Sequence, residues 1–235
     1  MVVTRRTMFI AGGGVVVLAA AGAAAALLLP RLFAPPAPGP AEANLPPADL
    51  SAELAQPAPD GDMAIGSSTA PVTIIEYASM TCPHCAHFSD TTFPELKQRY
   101  IDTGKVRFIF REFPLDKLAA AGFMLARCAS KDGGGERYMA VVETLFAKQK
   151  EWVVPDNPVP PLKNIAKQFG FTEESFNACL TNQNIMNGIE AVRDRAAAKL
   201  GVNSTPTFFV NGKKVAGDVT IETLAKEIDP YVKTG

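Results

Sequence analysis

Residues 79–88, SMTCPHCAHF, place Cys82 and Cys85 two residues apart and hold both histidines of the chain, His84 and His87. Sulfur and imidazole at that density suit four chemistries: a redox-active dithiol, half of a metal site, a haem tether or a structural staple. A haem tether needs histidine directly after the second cysteine, and Ala86 stands there instead. Zinc could draw on Cys82, Cys85 and either His84 or His87, but a closed site wants a second ligand pair. Cys128 and Cys179, the other cysteines, are not so arranged. A staple across two residues adds little, because closing so short a loop removes little chain entropy.

The surroundings of the motif favour redox chemistry. PVTIIEYAS, residues 71–79, is β-branched and apolar, reads as a strand, and is too short for a helix. Residues 83–102 then follow helical periodicity through Phe88, Leu96, Tyr100 and Ile101, with a bend expected at Pro94. Cys82 thus falls at the first turn of a helix, where unpaired N–H groups and the positive end of the dipole favour thiolate over thiol. Cys85 would lie one turn deeper, shielded and placed to close the disulfide. Pro83 suits the first helical position. His84 adds an N–H donor or partial positive charge beside the sulfur, or else is an exposed helix-start residue. His87 fits a solvated helix face or local packing.

Two further residues bear on the same chemistry. Glu76 interrupts an apolar strand, and a carboxylate facing inward there is costly unless it moves protons for Cys85; facing outward it would be ordinary. Thr205-Pro206 precedes the strand TFFV, and an X-Pro bond can be cis at modest cost. A cis bond would set the Thr205 backbone beside the disulfide to pair with an extended substrate; a trans proline would merely start an edge strand.

These residues need a scaffold. KVRFIFREF (105–113) alternates as a second strand. Residues 114–200 lack strand signals and show helical patterns at 115–131, 136–150, 161–169, 173–182 and 184–200, with Asp116, Thr172 and Asn184 as N-caps. Strands return as a hairpin around Asn211-Gly212, and 220–233 closes as a helix. The order is βαβ, a helical block, then ββα.

The ends of the chain speak to location. Arg5 and Arg6 precede 24 uncharged residues, Thr7 to Pro30, which as a helix would span about 36 Å. Residues 1–33 are therefore expected to be an export signal or an N-terminal membrane anchor, with 8–29 as the tether. Residues 34–62 are proline-rich and poor in large apolar side chains, which predicts a semi-rigid spacer; PADLSAELA within it could form one helical turn or two. A net charge of −1 and the lack of any basic run give no reason to expect nucleic acid.

APVTIIEYASMTCPHC, the interposed helical block and GVNSTPTFFVNG together resemble the DsbA-type thiol-disulfide oxidoreductases. The resemblance covers about 63–235. It implies an α/β thioredoxin fold in two parts, 63–113 and 201–235, with an all-helical insertion at 114–200. It also implies Cys82 as nucleophile, Cys85 as buried partner, His84 as thiolate stabiliser, Glu76 as proton-relay acid and Pro206 as a cis-proline next to Thr205. No cofactor beyond the Cys82–Cys85 disulfide, and no metal, is expected. The implied partners are unfolded or reduced exported polypeptides and a membrane quinone-linked reoxidase, in the periplasm, and the family is counted among strong oxidants. A subset of the family carries an extra cystine in the helical domain, and with an oxidising compartment this points to a Cys128–Cys179 bridge. An isomerase or reductase on the same fold is the alternative; isomerases usually carry a dimerisation module, whereas 34–62 is too proline-rich to fold as one, so a monomer is expected. A metal-binding or chaperone protein is the reading from another class.

Overall fold

The β-branched and aromatic runs assemble into one five-stranded sheet with strands β1 (Met63–Ile65), β2 (Val72–Ala78), β3 (Val106–Glu112), β4 (Thr207–Val210) and β5 (Lys213–Ala216), in the order β1-β3-β2-β4-β5. A computed structural model describes residues 47–131, 134–217 and 219–232 of the chain. β2 and β3 are parallel, Val72 opposite Val106 and Ala78 opposite Glu112; the other pairings are antiparallel. Both faces of β2 are covered, Ile74 and Ala78 entering one core and Ile75 and Tyr77 the other. That explains why its sequence reads as an apolar run rather than an alternation.

Helix α1 (Pro47–Ala55) precedes the sheet, α2 (Pro83–Thr91) and α3 (Phe93–Leu96) connect β2 to β3, and α10 (Ile221–Ile228) ends the fold. Between β3 and β4 run α4 (Lys117–Ala129), α5 (Gly134–Ala147), α6 (Gln149–Val153), α7 (Val159–Gln168), α8 (Glu173–Leu180) and α9 (Gln183–Lys199). Phe123, Tyr138, Leu145, Trp152 and Phe176 of these helices share one core with Phe88 of α2 and with Phe108 and Phe208 of the sheet. The architecture is a thioredoxin fold with a helical insertion. Cys128 and Cys179, in the last turns of α4 and α8, are joined in a disulfide that closes 51 residues of sequence.

Several local expectations need correcting. β1 has only three residues, one of them buried, too short for a pattern to reveal. The bend near Pro94 falls at Thr92, which separates α2 from α3; proline occupies the first turn of the new helix, where it has no N–H to lose. A π-helical turn, Lys97–Ile101, follows α3. The pattern over 136–150 divides into α5 and α6, and α10 ends before 233. Asp116 and Thr172 cap α4 and α8 through their side chains. The cap of α9 is Asn182 rather than Asn184: Asn182 Oδ1 accepts the N–H groups of Asn184 and Ile185. Residues 8–29, expected to span a membrane or direct export, lie outside the described residues. Among those described, no helix is long and apolar enough to cross a membrane.

The largest correction concerns 34–62. Of that stretch, 47–62 is part of the folded body rather than a spacer. Leu54 and Ala58 are buried against the sheet face carrying Tyr77, Ile109 and Phe209. Its main anchor is Arg111 of β3, which is 1% exposed. Nε and Nη2 of Arg111 donate to Asp62, Nη2 also to the Leu54 and Gln56 carbonyls, and Nη1 to the Tyr77 hydroxyl. Arg127 donates to the Asp60 and Gly61 carbonyls while its Nε and Nη2 pair with buried Glu112, and Arg195 holds the Gln56 and Pro57 carbonyls. Three guanidinium groups thus clamp one strap by its backbone, which removes the need for bulky side chains in the strap itself. The desolvation of Arg111 and Arg127 is offset because each is paired with a carboxylate and hydrogen-bonded.

Two outcomes follow. Arg111→Met should leave Asp62 and two carbonyls without their donor, lowering stability by about 3–5 kcal/mol in urea unfolding and exposing 54–62 to limited proteolysis. Replacing Cys128 and Cys179 together by serine should lower it by about 4 kcal/mol if chain entropy dominates, checked in the same titration.

Candidate active site

β2 ends at Ala78, the chain turns through Ser79–Thr81, and α2 begins at Pro83 with Cys82 as its N-cap (φ −77°, ψ 120°). An N-cap side chain ordinarily offers an oxygen to the N–H groups two and three residues on. Cys82 makes no side-chain capping hydrogen bond, but the nearby His84 and Cys85 N–H groups favour negative charge on its sulfur. The turn is braced from both sides. Cys82 N donates to the Ser79 carbonyl, the Thr81 hydroxyl to Asp116 and Leu115 N to the Ser79 hydroxyl. The start of the insertion therefore holds the start of α2.

The two cysteines, reduced in this structure, differ sharply. Cys82 has its pKa lowered to about 5, by the hydrogen bond from the Cys85 thiol first, then by the Thr205 side chain and the two N–H groups, against the opposing effect of burial. Cys85 is fully buried, and burial, followed by its bond to Cys82 and the charges of Glu76 and Cys82, drives its pKa up. Glu76 is 2% exposed on β2, between Phe110 and Phe208 in register, with Oε1 lacking any hydrogen-bond partner. Burial first and the Cys82 charge second raise its pKa well above the usual carboxylate range. An acid, a shielded thiol and a stabilised thiolate thus interact in one place.

The Thr205–Pro206 bond is cis, and the Thr205 carbonyl lies 3.3 Å from Cys82 Sγ, accepting the thiol proton. The Thr205 hydroxyl is buried without a hydrogen-bond partner. His84 contributes its backbone N–H, while its side chain is exposed, as is that of His87. Among the described residues, no group of three or more His, Cys, Asp and Glu side chains is placed to hold a metal ion.

A thioredoxin family model matches residues 59–230. The crystal structure of alpha-DsbA1 from Wolbachia pipientis superposes with a TM-score of 0.71 at 34% identity, covering 77% of this chain and 95% of that one. The chain belongs to the DsbA-type thioredoxin family. It is also 34% identical over 170 residues to a Rickettsia conorii protein assigned as a protein-disulfide oxidoreductase. That match takes in 72% of this chain and 60% of the relative, so the chain spans under two thirds of that protein's length. Disulfide bond formation protein D of Bacillus subtilis is 29% identical over 184 residues, covering 74% of this chain and 80% of that protein.

One residue at this DsbA-type site escaped the sequence reading. Gln149, at the start of α6, donates from Nε2 to the carbonyls of Met80 and Cys82 at 2.8 and 3.0 Å. Flanked by Lys148 and Lys150 it looks like a solvated helix face; the available signal was Trp152, a large apolar residue three positions on.

The pH dependence has a definite sign. Thiolate stabilisation exists only in the folded, reduced protein, and it depresses the folded pKa below the unfolded value of roughly 8.5. It is complete above the unfolded pKa and is lost as pH falls through about 5, the folded value. Groups that titrate alike in both redox forms drop out of the difference. The stability of reduced protein relative to oxidised should therefore grow between these two pH values, as measured by urea unfolding of each form; a difference that stays flat or narrows with rising pH would contradict the assignment.

Proposed function

We propose that the protein is a disulfide oxidase of exported polypeptides, acting by thiol-disulfide exchange through Cys82 and Cys85. The observation that carries the reading is the asymmetry of the pair: Cys82 held near pKa 5 at a helix N-cap, Cys85 buried with its pKa raised. In the oxidised enzyme a substrate thiolate attacks Cys82 Sγ. The Cys82–Cys85 bond breaks, and Cys85 leaves as a thiolate that takes its proton through Glu76. A second substrate thiolate then attacks the substrate sulfur of the mixed disulfide. Oxidised substrate departs, and Cys82 leaves as the thiolate its surroundings favour. Two electrons now reside on the dithiol.

A low leaving-group pKa speeds that second step, and stabilising the reduced form drives the equilibrium toward substrate oxidation. The Thr205 carbonyl beside Cys82 offers an extended substrate a backbone acceptor. Reoxidation requires a partner that removes the two electrons, and a membrane quinone-linked reoxidase fits that role. The apolar run Thr7 to Pro30 after Arg5 and Arg6 supports export to the periplasm, with 8–29 as a tether.

Equilibration with glutathione redox buffer tests the direction. A potential well above roughly −270 mV, the thioredoxin value, is expected; one at or below it would make the protein a reductant. Glu76→Gln should retain the fold but slow formation of the mixed disulfide on the order of 10²-fold, followed by rapid quench and thiol trapping, because the departing Cys85 loses its proton source. An unchanged rate would remove Glu76 from the mechanism.

A further inference from the structure

We propose that Gln149 is a positioning residue that sets the thiolate character of Cys82 from the insertion, without touching either sulfur. The inference rests on the exchange chemistry just assigned. Its basis is the fate of two carbonyls. The Cys82 carbonyl accepts the first bond of α2 from Ala86 N–H, at 3.2 Å, and a second from Gln149 Nε2 at 3.0 Å. The Met80 carbonyl accepts from the same nitrogen at 2.8 Å. One primary amide therefore spends both of its hydrogens on the peptide planes that bracket Thr81 and Cys82. Those planes fix the torsions of the N-cap, φ −77° and ψ 120°, and the N-cap torsions set where Cys82 Sγ lies relative to the start of α2.

The clamp is itself held rigidly. α5 stops at Ala147, and Lys148 (φ −100°, ψ 13°) leaves helical geometry, which separates α6 from α5. Trp152, fully buried, donates Nε1 to the Leu145 carbonyl and fastens α6 back onto α5. Gly122 of α4 lets Met80 and Trp152 pack closely: a Cβ there would sit 3.1 Å from Met80 Cγ and 3.5 Å from the indole. Gln149 is thus delivered by helix packing to the Met80 and Cys82 carbonyls. The chemistry is specific to a glutamine. Glutamate of the same length would bring acceptor oxygens toward two carbonyls, methionine matches the shape without a donor, and asparagine keeps the amide but falls one methylene short.

The test is a titration of Cys82 by ultraviolet thiolate absorbance, with the glutathione equilibrium constant, in wild type, Gln149→Met and Gln149→Glu. With the clamp removed, the Cys82 pKa should rise by about one unit and the equilibrium should move about tenfold toward the oxidised protein. Glutamate should perturb both at least as much as methionine. A merely structural role would lower the urea midpoint and leave pKa and equilibrium constant at wild-type values, and that result overturns the proposal. Should Gln149→Met fail to fold, Gln149→Asn provides the same comparison. A wild-type Cys82 that titrates as an ordinary thiol would instead defeat the functional reading itself. A depressed wild-type value with unresponsive variants defeats only the role of Gln149.

Discussion

A sulfur atom occupies the place of a helix-capping oxygen, and much of the molecule serves to keep it there. The Cys85 thiol and the first free N–H groups of α2 favour Cys82 as a thiolate. All of these contacts favour negative charge, and a disulfide sulfur carries none. The gain therefore exists in only one redox state. The bias between the redox states lies in the surroundings of the reduced sulfur rather than in the disulfide bond.

The second cysteine and its neighbour complete that bias by opposite physics. Cys85 and Glu76 are buried among aromatic side chains, where a charge has no water to solvate it. Neither can hold a charge easily while Cys82 is ionised nearby. The proton stays within the pair, available to whichever group is next exposed to negative charge. The parallel pairing of β2 with β3 and the antiparallel pairing with β4 put Glu76 between Phe110 and Phe208, so the apolar walls are set by strand register.

What the sequence disclosed follows the division between side-chain and backbone interactions. A CxxC before helical periodicity, a glutamate in an apolar strand and a proline opening TFFV all announce themselves by residue type. The 47–62 strap does not, because it is held through its carbonyls, which every residue possesses; the readable trace was Arg111, a cation within VRFIFRE. Gln149 was hidden for a related reason: its partners are carbonyls, and its neighbours Lys148 and Lys150 mark a wet surface. Asn182 and Asn184 are equally good capping types two residues apart, and only the geometry of the preceding turn selects between them.

The Cys128–Cys179 disulfide occupies the opposite electrical setting. Cys82 lies where a helix begins; Cys128 and Cys179 lie where α4 and α8 end, among the carbonyl termini. A thiolate formed there would face the negative ends of two helices, so neither sulfur makes a good leaving group and neither gains from reduction. A protein that carries a reactive thiol beside a structural disulfide risks having the two exchange. Helix polarity supplies the separation here. One chain carries a reactive dithiol and a structural disulfide, and the direction in which each helix runs sets the sulfurs of one apart from those of the other.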